Sequence, residues 1–193
     1  MDKLPVYIVA GGRSRRFGSD KARALLSGVP MIRRVADALD PISQSVTVVA
    51  STAGVYKDLG LMTIGDLRPC LGPIGGLDAA LADRVARHGK GWLLLASCDL
   101  TSPRADWVRC LMGHVKPNAV TVAFKGERWE PLFALYHTSI RGKIRRQVDT
   151  GFGALWRLIE QTQHVEVPLP DGMSGVTQIN TRHDMDQFAA GRG

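Results

Sequence analysis

The sequence predicts an α/β fold around a mostly parallel sheet, and three observations carry that expectation. Short apolar, β-rich runs alternate with amphipathic stretches across the first half of the chain, the pattern of successive strand–helix–strand units. The first run, "VYIVA", breaks directly into Gly11-Gly12, and the most apolar one, "GWLLLASCD", stops at Asp99. With 193 residues, 45% of them hydrophobic, the chain is long enough for one sizeable core.

Residues 6–10 form a short apolar run bounded by glycine and read as a buried strand. After a basic turn, "GVPMIRRVADALD" reads as a helix. Pro30 suits its first turn, and Ile32, Val35, Ala36 and Leu39 recur on one face. "SVTVVA" (45–50) and "LMTIGD" (61–66) are the second and third expected strands. "GPIGGLDAALADRVARH" opens as a glycine–proline loop and continues as a helix carrying Leu77, Leu81 and Val85. The run ending at Asp99 is the expected central strand, and Ser102, with Pro103 next to it, is expected to cap the helix "RADWVRCLM".

The second half is less regular. "AVTVAF" and "PLFALYH" are expected as strands joined by the charged turn "GERWE", with helices around 140–148 and 154–159. "HVEVPL" and "GVTQIN" read as further strands, and Thr181 with Asp184 has the spacing of a capping pair for a last helix, "RHDMDQFAA". No internal repeat, low-complexity tract or linker interrupts the chain. A single domain over 1–193 is expected, changing character near residue 115.

Lys and Arg together number 25 against 18 Asp and Glu, a net charge of +7. That balance suits anionic partners: nucleotides, phosphorylated metabolites, nucleic acid or a membrane surface. Seven basic residues fall between Arg13 and Arg34, against the single acid Asp20. A second cluster, Arg141, Lys143, Arg145 and Arg146, reads as one face of a helix. Cys70, Cys98 and Cys110 form an odd set without CxxC spacing, which argues against a disulfide framework or zinc site and suits a reducing compartment. The first apolar run is too short for a signal-peptide core, and no run approaches the ~18 apolar residues of a membrane helix. A cytoplasmic protein with no membrane partner is expected.

Chemistry concentrates in "VYIVAGGRSRRFGSDK". A strand ending at Ala10-Gly11-Gly12 delivers its loop to the carboxyl edge of the sheet, where open α/β folds bind ligands. Glycine removes the Cβ, so backbone N–H groups can surround a phosphate, while Arg and Lys supply charge. The P-loop and dinucleotide patterns are both absent; the string present is GGxxxRxGxxK, filled by Gly11, Gly12, Arg16, Gly18 and Lys21. It predicts a polyphosphate site, the plainer alternative being a turn with solvated arginines. A polyphosphate reaction needs its charge offset, commonly by Mg²⁺ on one or two carboxylates. Asp99, at a strand end on the same expected edge, is the candidate metal ligand; the alternative is a turn or cap residue. Asp66, after "LMTIG", is a second strand-end acid that would contact base, ribose or metal.

Other chemistries are disfavoured. There is no GxSxG motif, and the five histidines are scattered singly. The "DMD" of 184–186 falls on the expected last helix, and the tryptophans do not interleave with the basic cluster as a nucleic-acid stacking platform would.

With these residues in view, the chain resembles the molybdenum cofactor guanylyltransferases from about residue 6 to 188. "VAGGRSRRFGSDK" is similar to that family's LAGGxxxRMGxDK, "GPIGGL" to its GPxxG loop, and "SCDL" to its strand-end Asp. "EPLFALY" is similar to its PxxALY strand and "INT" to its NxNTPxxL ending. The resemblance implies a Rossmann-like, three-layer nucleotidyltransferase α/β fold with a mostly parallel, partly mixed central sheet. It implies joining GMP from GTP to a molybdopterin-type cofactor with Mg²⁺ assistance and release of pyrophosphate. Val9, Ala10 and Gly11 would line the nucleotide, with Gly12 in the turn. Lys21 and Arg16 would offset phosphate charge, Asp66 would contact the nucleotide, and Asp99 would hold the metal. Asn180 and the second half, about 116–193, would receive the pterin, leaving about 1–115 as the nucleotide half. Molybdoenzyme apoproteins and their chaperones would be downstream partners, and nucleic acid would not. The chain departs from the pattern at Ala50-Ser51-Thr52, where the family often has Asn, at Thr101-Ser102, which delays the proline after the metal Asp, and at Gln178 and Arg182. The rival expectations are a related transferase using CTP or a sugar or alcohol phosphate, and a non-catalytic nucleotide- or nucleic-acid-binding protein.

Overall fold

Val6, Ile8 and Ala10 point to one side of the first strand and Tyr7 and Val9 to the other, and both sets are buried. Such a strand needs cover on both faces, which a parallel sheet between helix layers provides. The computed structural model describes residues 3–10, 20–68, 71–149, 153–173, 179 and 182–190. In chain order these form β1 (Leu4–Ala10), β2 (Leu25–Leu26), β3 (Val29–Pro30), α1 (Met31–Leu39), β4 (Ser43–Ala50), β5 (Thr63–Gly65), α2 (Pro73–His88) and β6 (Trp92–Ser97). There follow α3 (Ala105–Gly113), β7 (Thr121–Lys125), β8 (Trp129–His137), α4 (Arg141–Asp149), α5 (Leu155–Glu160), β9 (His164–Pro168) and α6 (Arg182–Ala189).

The main sheet has seven strands in the order β5-β4-β1-β6-β8-β7-β9 among the described residues. β4 and β6 pair parallel to β1, β5 parallel to β4, and β9 parallel to β7; β8 alone runs antiparallel to both its neighbours. The expected mostly parallel, partly mixed sheet is therefore present. One face packs Val6, Ile8, Val48, Leu94 and Ala96 against Ile32, Val35 and Leu39 of α1 and Trp107, Val108 and Leu111 of α3. The other packs Tyr7, Val49, Leu93 and Leu95 against Ile74, Leu77 and Leu81 of α2, with α4 and α5 completing that layer. The short β2–β3 hairpin sits apart, where Leu26 and Met31 cluster with Ile179 and Phe188 from the C-terminal segment.

Chain order and sheet order together create a reversal. The chain passes from β1 to β4 and β5 on one side, then crosses to β6 on the other. The carboxyl ends of β1 and β6 thus border a topological switch point, where flanking loops leave in opposite directions and open a crevice. Cys98 continues the pairing just past β6, its N–H donating to the Val9 carbonyl at 3.2 Å.

Two local expectations are corrected. Val85 lies on the outer side of α2, 39% exposed, because the buried stripe runs through Ile74, Leu77, Asp78, Leu81 and Arg84. Ser102 does not cap α3: the cap position is Arg104, in extended backbone, and the Arg104 guanidinium grips Asp106 in the first turn at 2.6 and 3.0 Å. Pro103 disfavours helical backbone at Ser102, so the helix starts later than the cap-plus-proline pattern suggests. "GVTQIN" and Thr181 fall outside the described residues, apart from Ile179.

Leu94 is fully buried in the middle of β6. Leu94→Ala is expected to cost about 2–5 kcal/mol, measured as a lower urea midpoint with an unchanged m-value.

Candidate active site

Lys21 lies on a single helical turn, residues Lys21–Arg23, directly after the segment that leaves β1. Side-chain contacts on both flanks hold that turn. Asp20 accepts the Ala22 N–H at 3.0 Å and the Tyr56 hydroxyl at 3.0 Å. Arg23 forks onto Asp58 at 2.6 and 2.8 Å and reaches the Val55 carbonyl. Burial and the adjacent Asp20 carboxylate both push the Tyr56 phenol upward, so Tyr56 remains a donor throughout the physiological range. Arg23 thus braces the turn, and Arg33 pairs with Asp37 along α1 at 2.8 Å.

Held this way, Lys21 Nζ lies 2.7 Å from Asp99 Oδ2, with side-chain exposures of only 14% and 13%. Asp99 stands two residues past β6, and its carbonyl accepts the N–H of Ile179 from the C-terminal segment at 3.4 Å. The second carboxylate oxygen, Oδ1, is buried and takes no hydrogen bond from the described residues. A buried anionic oxygen without a donor is costly, and it has the hard-oxygen chemistry that Mg²⁺ prefers. The donor set thus fits a divalent cation. Among the described residues no group of three or more His, Cys, Asp or Glu is arranged to hold a metal. Neighbouring Cys98 is not a nucleophile: burial, and secondarily the Asp99 charge, push its thiol up to about 12.

Asp66 follows β5 on the same edge and closes an Asx turn by accepting the Arg68 N–H at 2.8 Å. Burial, and in smaller part the nearby Asp78 charge, hold its carboxyl above the ordinary range, opposed by that N–H bond. The start of α2 presses against this turn. A Cβ on Gly75 would fall 2.9 Å from both Arg68 O and Asp66 Oδ1, and one on Gly76 would fall 3.1 Å from Val9 Cγ1. Bare backbone is what lets the positive end of α2 approach both β1 and Asp66. Gly72 caps that helix without a side-chain bond at a φ of 67°, its carbonyl accepting the Gly75 N–H at 3.1 Å.

Of the expected site residues, Val9, Ala10, Lys21, Asp66 and Asp99 come to one edge of the sheet, with Lys21 and Asp99 in direct contact. Gly11, Gly12, Arg16 and Asn180 lie outside the described residues. The second basic cluster does not act as a unit. Arg141 turns inward to Asp78 at 2.8 Å, and Arg68 approaches the same carboxylate at 3.4 Å. Asp78, nearly fully buried, so ties the Asp66 turn and α4 to α2. The sequence reading missed this brace, although an acid at the Ile74–Leu77–Leu81 spacing is the signal of a buried pair.

A mostly parallel sheet that reverses its strand order beside an acid–base pair defines an α/β protein of the ligand-binding, doubly wound class. Residues 6–167 match the MobA-like NTP transferase domain, and the chain belongs to that family. It is 31% identical over 192 residues to the probable molybdenum cofactor guanylyltransferase of Deinococcus radiodurans, covering 98% of this chain and 95% of that one. It is 29% identical over 182 residues to the molybdenum cofactor guanylyltransferase of Yersinia pestis, covering 93% and 91%. The crystal structure of molybdopterin-guanine dinucleotide biosynthesis protein A from Archaeoglobus fulgidus superposes with a TM-score of 0.81 over 97% of each chain, at 22% identity, a likeness of fold.

Two outcomes are expected here. Asp66→Asn keeps the oxygen that closes the Asx turn but removes a charge that burial disfavours. Because the folded carboxyl titrates above its unfolded value, its ionisation costs stability above the unfolded pKa. Asp66→Asn should therefore be more stable than the parent at pH 7, with the gain shrinking as pH falls toward 3, read from urea midpoints across that range. Gly75→Ala, which on helix propensity alone should stabilise by about 1 kcal/mol, is instead expected to destabilise, because the added methyl meets Arg68 O and Asp66 Oδ1 at 2.9 Å, and a lower urea midpoint would show it.

Proposed function

We propose that this protein transfers GMP from GTP to the terminal phosphate of a molybdopterin-type cofactor, releasing pyrophosphate. The observation that carries the reading is the 2.7 Å Lys21–Asp99 pair at the switch point, in a chain of the NTP transferase family. The names of the Deinococcus and Yersinia relatives support guanine as the base and the molybdenum cofactor as the acceptor.

In this reading residues of about 1–115 bind the nucleotide and about 116–193 receive the acceptor. Val9, Ala10, Gly11 and Gly12 line the nucleotide at the end of β1, and Asp66 contacts it from β5. The open N-terminus of α2 adds favourable potential for an anion. An oxygen of the acceptor's phosphate attacks the α-phosphorus of GTP in line, its new P–O bond forming as the bond to the bridging oxygen of pyrophosphate breaks. Lys21 and Arg16 offset charge on the departing pyrophosphate. No general base is needed, because a phosphate monoester is already anionic at neutral pH. Asp99 would hold Mg²⁺, which when bound neutralises triphosphate charge. Asn180 would help receive the acceptor. The reaction draws on GTP and belongs in the cytoplasm, with product passing to molybdoenzyme apoproteins and their chaperones.

Asp99→Ala and Lys21→Ala are each expected to lower GMP transfer by about 100–1,000-fold or more, with unchanged circular dichroism. The assay measures Mg²⁺-dependent pyrophosphate release with each of the four nucleoside triphosphates, with and without molybdopterin. Release with CTP and a sugar phosphate would reassign the substrates. Salt-sensitive DNA binding without release from any triphosphate would reject the enzyme reading.

A further inference from the structure

Strand β8 carries an irregularity at the crevice. Its pairs with β7 run regularly from Thr121–Tyr136 to Ala123–Ala134, then jump to Lys125–Trp129. Glu130, Pro131, Leu132 and Phe133 therefore stand opposite Phe124 alone, a wide bulge. On the other side, β8 pairs with β6 as far as Phe133–Ala96. Because β8 runs antiparallel, residues 130–132 project beyond that last pair, at the edge where β6 gives way to Asp99. Bulges beside sites commonly re-aim a side chain.

This bulge is held from both ends. The Tyr136 hydroxyl donates to the Pro131 carbonyl at 2.8 Å. Phe133 stacks on Phe124 and meets the edge of Trp107, while Trp129 donates to Glu160 and packs against His164. Between these anchors sits Glu130, half-buried, with no hydrogen bond or ion pair among the described residues. Its burial raises its carboxyl above the ordinary range with no opposing contribution. Other acids removed from solvent are supplied with donors: Asp78 by two arginines, Asp99 by Lys21, Asp66 by a backbone N–H. A rigidly held carboxylate at a ligand-binding edge, lacking any cation, suits a neutral partner with two adjacent N–H groups.

We propose that Glu130 is a specificity-determining residue that binds the aminopyrimidinone edge of the acceptor's pterin, accepting from its ring N–H and its exocyclic amino group. This inference rests on the functional reading above. Guanine carries the same edge, but Glu130 lies on the strand that follows the nucleotide half, so the pterin is the source chosen. An arginine in its place would present donors to donors, and an apolar residue would leave both N–H groups unpaired.

The test compares the parent with Glu130→Gln, which keeps shape and removes the charge and one acceptor. Transfer from GTP to molybdopterin is measured alongside fluorescence titration with hydroxymethylpterin and with its lumazine analogue, which carries a carbonyl in place of the amino group. The acceptor KM should rise about 10–100-fold in Glu130→Gln, with KM for GTP and kcat at saturating acceptor changed less than about twofold. The parent should prefer the pterin to the lumazine by about tenfold or more, and the variant should lose that preference. An unchanged acceptor KM in a folded variant, with the parent active, overturns the inference and leaves the functional reading standing. A raised KM for GTP alone assigns the edge to guanine and also overturns it. A parent that transfers nothing to molybdopterin sinks both.

Discussion

The ion pair between Lys21 and Asp99 is the constraint around which the rest of the structure is arranged. The two residues are 78 positions apart in sequence, and each is delivered by separate machinery. Lys21 sits on a short turn clamped by the Asp20–Tyr56 and Arg23–Asp58 contacts. Asp99 is carried by the pairing of β6 on β1, extended by the Cys98–Val9 bond. Both arrive at the point where strand order reverses, where diverging loops leave room for a ligand. Neither charge is fully solvated, which strengthens their mutual field and that felt by an anionic substrate.

Partly buried acids around this pair divide by how they are compensated. Asp78 is a structural acid: two arginines, one from the Asp66 turn and one from α4, neutralise it. Its brace fastens the Asp66 turn and α4 to α2. Among the described residues Asp66 receives one N–H and no cation, and Asp99 keeps one oxygen without a donor. Carboxylates left short of partners cost stability and persist where a ligand completes them. Among the partly buried acids, those short of partners, Asp66 and Asp99, lie at the carboxyl edge of the parallel strands.

Packing serves the same geometry. Gly75 and Gly76 let α2 lie against Asp66 and Val9 closely enough that a methyl group would collide at 2.9 Å and 3.1 Å. The bulge in β8 does the converse, adding backbone where the sheet meets the crevice. One device brings a helix terminus in and the other pushes a strand out, and between them the edge acquires depth.

Strand–helix alternation, the glycine break after Ala10 and the apolar run ending at Asp99 were enough to read an α/β sheet, much of its core and the strand-end placement of Asp66 and Asp99, because burial constrains residue types locally. Helix starts were less secure: Ser102-Pro103 looks like a cap, yet Arg104 takes the cap position and α3 starts at Ala105. Arg23 and Arg141 could not be told from phosphate ligands by composition, since whether an arginine meets Asp58, Asp78 or solvent is settled by elements remote in sequence. The bulge that presents Glu130 is likewise a mismatch between two paired strands, and no single strand carries that information. Identity of charge is a local property of the chain, whereas partnership of charge depends on contacts that only folding makes.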